Sequence, residues 1–482
     1  MEVRMRFDDR AWIISDKVTD SWPLQILDPV VFRNIGNFLV KFTAGDAVFF
    51  TVLKTGGFNT SLQMEFEHSV TAIIRFPLPG SVMFPEEKLR TEVAAMRYIG
   101  DQTSIPVPLV IHSGTKKEGP MELAPFIIME KINHTSNMLD ILLDPNRPTD
   151  APLSLDPSLG PAKLEALYKG LAGVCLSLST TGQKTIGSVV QVDDFTWEVG
   201  ARPVTYQMNE LVRVGTLPRS KIPTTTFDTA SSYFESLAQL QISHLMSQRN
   251  DSISSADDCR SKFVARFLFR KLTRDPKLRS QWIKNENGPF PMWCDDFRPG
   301  NVLVHEDLSI AGVVDWEFTY AAPVEFTHAP PWWLILEKPE YASTSLTEWS
   351  LEFERRLPIF LKAMTDCENQ AIQKGRLSEC QRLSNEMQQS WKTGDFWIVY
   401  AAMHSFAFDA IYWSMIDGRF FGPVCTKDIC ATWKERLHLL DAEELQTMEE
   451  YVELKLSQME TRALAWDPDQ YTLDHIQKMD AA

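Results

Sequence analysis

Residues 291–305, PMWCDDFRPGNVLVH, and residues 310–317, IAGVVDWE, predict a β-hairpin that opens on a polar loop. A Pro-Gly pair in the first stretch is typical of a tight turn, and the β-branched runs that follow in both stretches are typical of adjacent strands. Because a hairpin returns the chain to its starting point, the loop and the end of the second strand lie side by side. The pattern therefore brings three polar side chains together: Asp296, Asn301 and Asp315.

This set of polar groups is the one that phosphoryl transfer needs. Asp296 can orient or deprotonate a hydroxyl, which makes it the candidate catalytic residue. Asn301 and Asp315 can hold Mg²⁺ against the phosphates of a nucleotide. A simpler interpretation is that Asp296 and Asn301 are turn residues that stabilise a tight loop.

The motif Asp-x-Arg-Pro-x-Asn, followed by Val-Val-Asp-Trp-Glu, resembles the aminoglycoside phosphotransferase and choline kinase family of the protein-kinase-like superfamily, especially its fungal members. The resemblance implies a bilobal α+β kinase-like fold with a small mixed β-sheet lobe and a large, mainly helical lobe. It implies ATP and Mg²⁺ as cofactors. It also makes Arg298 and Glu317, which lie within the motif, candidate contacts of the substrate.

Two positions of the catalytic loop depart from the family pattern. The family usually has His two residues before the catalytic Asp and Gly just before it, whereas this chain has Cys294 and Asp295. In kinases that His mainly supports the metal-binding loop, and a thiol is a weaker donor. Two interpretations stay open: an active phosphotransferase with a tolerated change, and a catalytically idle nucleotide-binding or interaction protein.

The composition indicates a globular protein. The 482 residues are 44% hydrophobic, which is enough for a large core, and the net charge is −16. This charge disfavours nucleic acid and anionic membrane surfaces as partners and is compatible with a cationic substrate. Residues 1–9 are charged and no stretch is apolar for long enough to span a bilayer, so secretion and membrane insertion lack support. With seven cysteines but no CxxC pair, the expected location is cytoplasmic.

A hairpin with a glycine tip is predicted near the beginning of the chain. Residues 47–53 and 62–66 have strand-like composition, and Gly56 and Gly57 lie in the turn between them. Such a loop can bring backbone N–H groups over phosphates, with Phe58 as a cover, and the sequence Gly-x-Phe-Asn is similar to the family's phosphate loop. Two glycines in a turn are, however, ordinarily just a turn.

The next predicted strand presents Arg75 where kinases place their phosphate-binding Lys. The helix predicted over 86–99 carries Glu92 near its apolar stripe. Glu92 can therefore pair with Arg75 and hold its guanidinium against nucleotide phosphates, which is the kinase Lys–Glu arrangement with Arg substituted. The alternative is a solvated helix with alternating charge.

The buried strand expected at 125–132 fits the hinge between two lobes. There the main-chain groups near Glu130 and Ile132 would bind the adenine edge. The identity of their side chains therefore says little about adenine binding. The predicted organisation is an N-terminal extension, a nucleotide lobe with its hinge, and a helical lobe that contains the catalytic loop 291–317 and a surface insertion at 144–162. These parts span residues 1–45, 46–132 and 133–482.

The chain after Asp315 is too short for a long regulated loop, which favours a small-molecule hydroxyl as acceptor over a peptide. The aromatic stretch 395–413 predicts one continuous helix. In the family resembled, helices of this part help to wall the acceptor pocket, so His404, Asp409 and Trp413 are candidate substrate contacts. A buried His and Asp in a helical core would be equally compatible. The predicted function is therefore an ATP- and Mg²⁺-dependent phosphotransferase with an unidentified small acceptor.

Overall fold

The computed structural model describes residues 9–67, 70–149, 151–194, 196–249, 252–342, 345–426, 428–461 and 466–481. Residues 1–8 of the expected N-terminal extension and residue 150 of the expected insertion lie outside the described residues. Within the described ranges, no helix is both long and apolar enough to cross a membrane.

The chain begins with two helices and then forms a small sheet lobe. The elements of this part are α1 (Asp9–Ile26), α2 (Pro29–Leu39), β1 (Ala47–Thr55), β2 (Asn59–Phe66), β3 (Thr71–Pro77), α3 (Pro85–Gln102), β4 (Val110–Gly114) and β5 (Phe126–Glu130). The side chain of Asp28 accepts the first free N–H groups of α2, which is why this helix begins at Pro29.

The rest of the chain is mainly helical. Its helices are α4 (Met138–Leu142), α5 (Pro161–Ser179), α6 (Tyr206–Arg213), α7 (Ala230–Ser247), α8 (Ala256–Arg274), α9 (Pro276–Arg279), α10 (Val324–His328), α11 (Leu346–Gln373), α12 (Leu383–Thr393), α13 (Asp395–Met403), α14 (Phe408–Ile411), α15 (Asp417–Phe421), α16 (Thr432–Arg436), α17 (Ala442–Thr461) and α18 (Gln470–Ala481). Its strands are β6 (Ser136–Asn137), β7 (Ser188–Asp193), β8 (Thr196–Ala201), β9 (Met292–Cys294), β10 (Val302–Val304), β11 (Ile310–Val313) and β12 (Thr319–Ala321). The expected α+β class, with a sheet lobe and a helical lobe, is confirmed by these elements.

The five strands of the small lobe lie in the order β1-β2-β3-β5-β4. All neighbouring strands run antiparallel, so the expectation of a mixed sheet is wrong in this detail. The reason is the place of β4 after the long helix α3. Strands β3 and β4 have the same direction, but β5 lies between them and pairs with both. A parallel pair would need β3 and β4 to be neighbours.

Both ends of the described chain pack on the sheet lobe. The ring of Trp22 in α1 lies edge-to-face with Tyr471 in α18, with the ring centroids 5.8 Å apart. The hydroxyl of Tyr471 donates to the carbonyl oxygen of Pro77 at 2.8 Å. Both aromatic residues belong to the apolar cluster that fills the sheet lobe. The last helix therefore returns to the sheet lobe, although its place in the sequence follows the helical lobe.

The aromatic stretch 395–413 is not one continuous helix, so that prediction is wrong. Helix α13 ends at Met403, and the chain continues as α14 and a π-helical turn at Tyr412–Ile416. At His404 the backbone leaves helical geometry with φ −128° and ψ 80°. The His404 ring contacts the carbonyl oxygen of Tyr400 through Nδ1 at 2.8 Å, and this is the oxygen that the His404 N–H would bind in a continuing helix.

Gly80 is expected to be essential for docking α1 against the end of β3. Its φ is +81°, and a Cβ added there would lie 2.8 Å from the carbonyl oxygen of Ser15. We expect Gly80→Ala to lower the free energy of unfolding by roughly 1–3 kcal/mol because of backbone strain and this clash. The measurement is urea unfolding followed by circular dichroism.

Gly100→Ala is the matched control for this experiment. Gly100 lies in α3, and no described atom is within 4 Å of a Cβ added there. In a helix Ala is favoured over Gly by roughly 0.5–1 kcal/mol, so the control is expected to be neutral or stabilising. Equal unfolding midpoints for the two variants would contradict the importance of the close approach at Gly80.

Candidate active site

The hairpin predicted from residues 291–317 forms and sets the geometry of the site. Strands β10 and β11 pair antiparallel with Val302 opposite Val313. The N–H of Val314 donates to the carbonyl oxygen of Asn301 at 2.9 Å. The chain then turns through Asp315 with φ +58°, a left-handed conformation that is uncommon for a residue with a Cβ. This turn places Asp315 beside the loop that carries Asn301.

Asp296 is held by its neighbours in the loop. Nε of Arg298 donates to Oδ1 of Asp296 at 2.9 Å. Nδ2 of Asn301 donates to Oδ2 at 3.0 Å and to the main-chain oxygen of Asp296 at 2.8 Å. Burial raises the pKa of Asp296 above its ordinary value, and the guanidinium of Arg298 opposes that shift. Asp296 is therefore fixed in orientation, and Arg298 positions it in addition to being a candidate substrate contact.

Arg75 connects the sheet lobe with the hairpin of residues 291–317. Its guanidinium bonds to Glu92 of α3 through Nη2 and to Asp315 through Nη1. The side chains of Arg75 and Glu92 are almost fully buried, whereas that of Asp315 is 39% exposed. The structure thus brings together the Arg–Glu pair expected from the sequence and directs it at the exposed carboxylate of Asp315.

Lys88 is a site residue that the sequence analysis missed. Its ammonium forms an ion pair with Glu317 and lies 3.2 Å from Oδ1 of Asn59, although the residue is only 2% exposed. Nζ is also 3.8 Å from Oε2 of Glu92. The available signal was helical spacing: Lys88 lies four residues before Glu92, so the two residues share one face of α3.

Glu317 lies at the centre of this network and is not presented to an acceptor, as had been expected for a substrate contact. The residue is 3% exposed, and its Oε2 accepts from Nδ2 of Asn59 at 2.9 Å. Although burial favours the neutral form, the ammonium of Lys88 holds the pKa of Glu317 below its usual range. Glu317 therefore links the beginning of β2 to the hairpin of residues 291–317.

The glycine loop reaches the hairpin through one aromatic side chain. Gly56 and Gly57 are exposed at the tip, and no described atom is within 4 Å of a Cβ added at Gly57. The ring of Phe58 packs edge-on against Phe318 and Tyr206, with centroids 5.5 and 5.6 Å away. Phe58 therefore ties the loop to the hairpin of residues 291–317, while the N–H of Gly56 donates to the carbonyl oxygen of Asn59 at 2.8 Å and Gly57 stays exposed at the tip.

The two residues that depart from the family pattern both have partners. Sγ of Cys294 lies 3.6 Å from the carbonyl oxygen of Glu317, which it approaches as a weak donor. Burial raises the pKa of this thiol, so it stays protonated. Asp295 accepts hydrogen bonds from the N–H of Tyr206 at 3.0 Å and from the indole of Trp293 at 2.8 Å. The two changes therefore leave the loop connected to its surroundings.

The hinge residues lie at the end of β5. The exposed Glu130 accepts from the N–H of Leu109 through its side chain at 3.0 Å. Ile132 packs so closely on Gly312 of β11 that a Cβ added there would be 2.2 Å from the end of the Ile132 side chain. The segment after β5 is thereby held against the catalytic hairpin.

The three helical residues expected to contact the acceptor lie in different surroundings. His404 lines a cavity that also contains Tyr206. Asp409 instead forms a two-pronged ion pair with Arg266 of α8, at 2.5 and 3.1 Å. Trp413 packs edge-on against Tyr412 in the π-helical turn. Because the helix breaks at His404, the structure brings only His404 of the three to a cavity near the catalytic loop.

No family model matches the chain. Clavilactone A biosynthesis cluster protein Y from Ampulloclitocybe clavipes is 25% identical over 321 residues, which are 63% of this chain and 70% of that protein.

Several solved structures are similar over most of their length. Aminoglycoside phosphotransferase APH(4)-Ia is 14% identical, with 79% of this chain and 98% of that chain covered and a TM-score of 0.41. A macrolide 2'-phosphotransferase type I is 11% identical, with 83% and 99% covered and a TM-score of 0.37. A putative fructosamine-3-kinase from Thermobifida fusca is 12% identical, with 88% and 98% covered and a TM-score of 0.35. The fold described above rests on the chain's own strands and helices.

The carboxyl group of Asp295 gives the site a measurable pH dependence. Burial raises the pKa of Asp295 from 3.8 to about 7. Between about pH 4 and pH 7 the folded protein therefore keeps a proton that the unfolded chain has released, so stability falls as the pH rises. Asp295→Asn lacks this proton and is expected to lack this part of the pH dependence.

The measurement is the free energy of unfolding of both proteins from pH 4 to pH 8. The difference between wild type and Asp295→Asn should change by up to roughly 1.4 kcal/mol per pH unit within the window and become constant above it. Parallel curves across the whole range would show that Asp295 titrates near its ordinary value.

Proposed function

We propose that the protein is a cytoplasmic phosphotransferase that uses ATP and Mg²⁺ to phosphorylate a hydroxyl group of a small molecule. The observation that carries this proposal is the convergence of Asp296, Asn301 and Asp315 on one hairpin, faced by the Arg75–Glu92 pair. Carboxylates, an amide and a fixed guanidinium are the groups that position a phosphoryl group and neutralise its negative charge during transfer.

The nucleotide phosphates are assigned to the space between the glycine loop and the hairpin. Glu92 fixes the guanidinium of Arg75, so its charge is preorganised for phosphate oxygens. The N–H of Gly56 donates to the carbonyl oxygen of Asn59 at 2.8 Å and closes this loop. The exposed backbone of Gly57 at the tip is assigned to the phosphate oxygens, and the next residue, Phe58, contacts the hairpin. The adenine edge is assigned to main-chain groups of the hinge, where Glu130 and Ile132 lie.

The donor set fits Mg²⁺ shared with a nucleotide. In the described part of the chain, no group of three or more His, Cys, Asp or Glu side chains forms a metal site. Mg²⁺ is commonly held by one or two carboxylates together with substrate phosphates, so this finding agrees with the assignment. Asp315 would supply a carboxylate oxygen and Asn301 its Oδ1, because Nδ2 of Asn301 already donates to Asp296. The bound cation would supply charge neutralisation.

Asp296 is assigned to the acceptor hydroxyl. Its two oxygens are held by Arg298 and Asn301, so the carboxylate is oriented before any ligand arrives. In this position it can align the hydroxyl and accept its proton as the new bond forms. Most of the rate would come from this positioning, because the protein does little covalent chemistry in phosphoryl transfer.

Asp296→Asn tests the assignment of the catalytic residue. The change keeps the size of the side chain and removes its charge, so turnover is expected to fall roughly 10²–10⁴-fold while ATP affinity stays nearly unchanged. ADP release is measured with a panel of hydroxylated compounds, and ATP affinity is measured by calorimetry. Equal turnover of variant and wild type would refute the role of Asp296, and wild type without turnover on any acceptor would favour the idle protein.

Asp315→Ala tests the metal assignment. Removal of this carboxylate is expected to abolish the part of ATP binding that depends on Mg²⁺, because the cation loses its only charged protein ligand in the proposed pair. Calorimetric titrations with ATP are compared in the presence of Mg²⁺ and of a chelator. Asp307→Ala is the matched control, since Asp307 is an exposed carboxylate in the turn of the same hairpin. Unchanged Mg²⁺ dependence in Asp315→Ala would show that the cation binds elsewhere.

A further inference from the structure

A small cavity lies beside the catalytic loop, between α1, α6 and the end of α13. Its volume is about 150 Å³, and the residues that matter for its chemistry are Trp12, Tyr206, Lys338, Glu340, His404 and Phe406. Trp12 belongs to α1, so the N-terminal segment of the chain contributes to this cavity.

Tyr206 connects the cavity to the catalytic machinery. Its N–H donates to Oδ2 of Asp295, the residue directly before Asp296, at 3.0 Å. Its ring packs edge-on against Phe58 of the glycine loop and Phe318 of the hairpin, at centroid distances of 5.6 and 5.9 Å. A ligand in the cavity would therefore contact a side chain that is fixed to both the catalytic loop and the proposed phosphate loop.

The charges around the cavity compensate one another. The carboxylate of Glu340 accepts the hydroxyl of Tyr400, and the ammonium of Lys338 lies 5.3 Å from the centre of the Tyr206 ring. The second carboxylate, on Glu210, is 3.6 Å from a guanidinium nitrogen of Arg213.

His404 adds no charge to this wall at neutral pH, because burial lowers its pKa to about 4. Two acidic and two basic side chains thus surround a neutral imidazole and several aromatic rings. A polycation that enters a cavity loses its hydration shell and needs an excess of carboxylates to compensate for this loss. This lining has no such excess.

Helix α1 is docked so that Trp12 stays at the cavity. Nε of Arg213 donates to Oγ of Ser15 at 2.7 Å, and another nitrogen of the same guanidinium lies 3.3 Å from Asp16. The guanidinium of Arg213 also lies 5.8 Å from the centre of the Trp12 ring. These contacts fix one face of α1 on α6 and hold the indole of Trp12 beside the cavity.

We propose that this cavity is the acceptor site, that its ligand is a small uncharged compound with one aromatic ring and a hydroxyl group, and that Trp12 closes it. The proposal rests on the proposed function. The cavity volume of about 150 Å³ is large enough for one benzene-sized ring, and the aromatic part of its wall favours stacked or edge-on contacts with such a ring. In the transfer, the acceptor oxygen bonds to the γ-phosphorus, the bond to the β-bridging oxygen breaks, ADP leaves, and the hydroxyl proton passes to Asp296.

The test is a binding measurement that does not depend on catalysis. Saturation-transfer NMR is used with benzyl alcohol as the ring probe, glycerol as a hydroxyl compound without a ring and kanamycin as a polycation. Benzyl alcohol is expected to bind most tightly of the three. Trp12→Ala is expected to weaken it at least 10-fold, whereas Ile13→Ala, an exposed neighbour on the same helix, is expected to leave it unchanged.

A second variant keeps the test informative if Trp12→Ala unfolds α1. Met403→Trp adds bulk to a side chain that lines the cavity, so it is expected to block benzyl alcohol without loss of an existing contact to α1. Circular dichroism melting curves check that each variant is folded. Tighter binding of kanamycin, or benzyl alcohol binding that neither variant changes, would overturn the proposal.

The same probes separate this inference from the proposed function. If benzyl alcohol binds in a Trp12-dependent way and ring alcohols increase ADP release, both are supported. If ADP release depends on Asp296 but occurs only with acceptors outside this class, the pocket inference fails and the phosphotransferase function stands. If ring alcohols bind through Trp12 and no ADP forms, the inferred ligand class of the cavity stands, whereas its role as an acceptor site and the phosphotransferase function fail.

Discussion

The buried ion-pair network between α3 and the catalytic hairpin is the interaction on which the candidate site depends. Arg75 and Lys88 come from the sheet lobe and its helix, and they pair with Asp315 and Glu317 of the hairpin. Because the cations are almost fully buried, removing one partner would leave an unpaired charge, which typically costs roughly 3–5 kcal/mol. The same contacts that join the lobes therefore fix the positive charges beside the proposed metal site.

Aromatic packing stabilises the part of the site that lies outside the ion-pair network. Phe58, Tyr206 and Phe318 form a triad that connects the glycine loop, the beginning of α6 and the hairpin. The contact between Trp22 and Tyr471 fixes the first and last described helices to the sheet lobe. The terminal segments are thus structural parts of the lobe, and through Trp12 the first of them also reaches the proposed acceptor cavity.

The net charge of the chain and the charges that line the cavity favour different ligands. The net charge of −16 by itself is compatible with a cationic substrate. In the cavity, however, Glu210 and Glu340 are accompanied by Arg213 and Lys338. Since screening limits surface charges to a range of roughly 10 Å, the groups that line a site decide its ligand more than the total charge does. The balanced lining therefore favours an uncharged acceptor.

The sequence by itself determined the parts of the site that depend on local spacing. The hairpin around Asp296, Asn301 and Asp315 follows from turn and strand signals, and the Arg75–Glu92 pair follows from helical periodicity and the kinase-like pattern. Tertiary structure alone decided the antiparallel sheet, the pairing of Lys88 with Glu317, the helix break at His404 and the contribution of Trp12 to the cavity. The helix break involves a contact between the His404 ring and the carbonyl oxygen of Tyr400, whose formation periodicity does not predict. The other features depend on contacts between residues far apart in the chain, and local propensity and periodicity carry no information about such contacts.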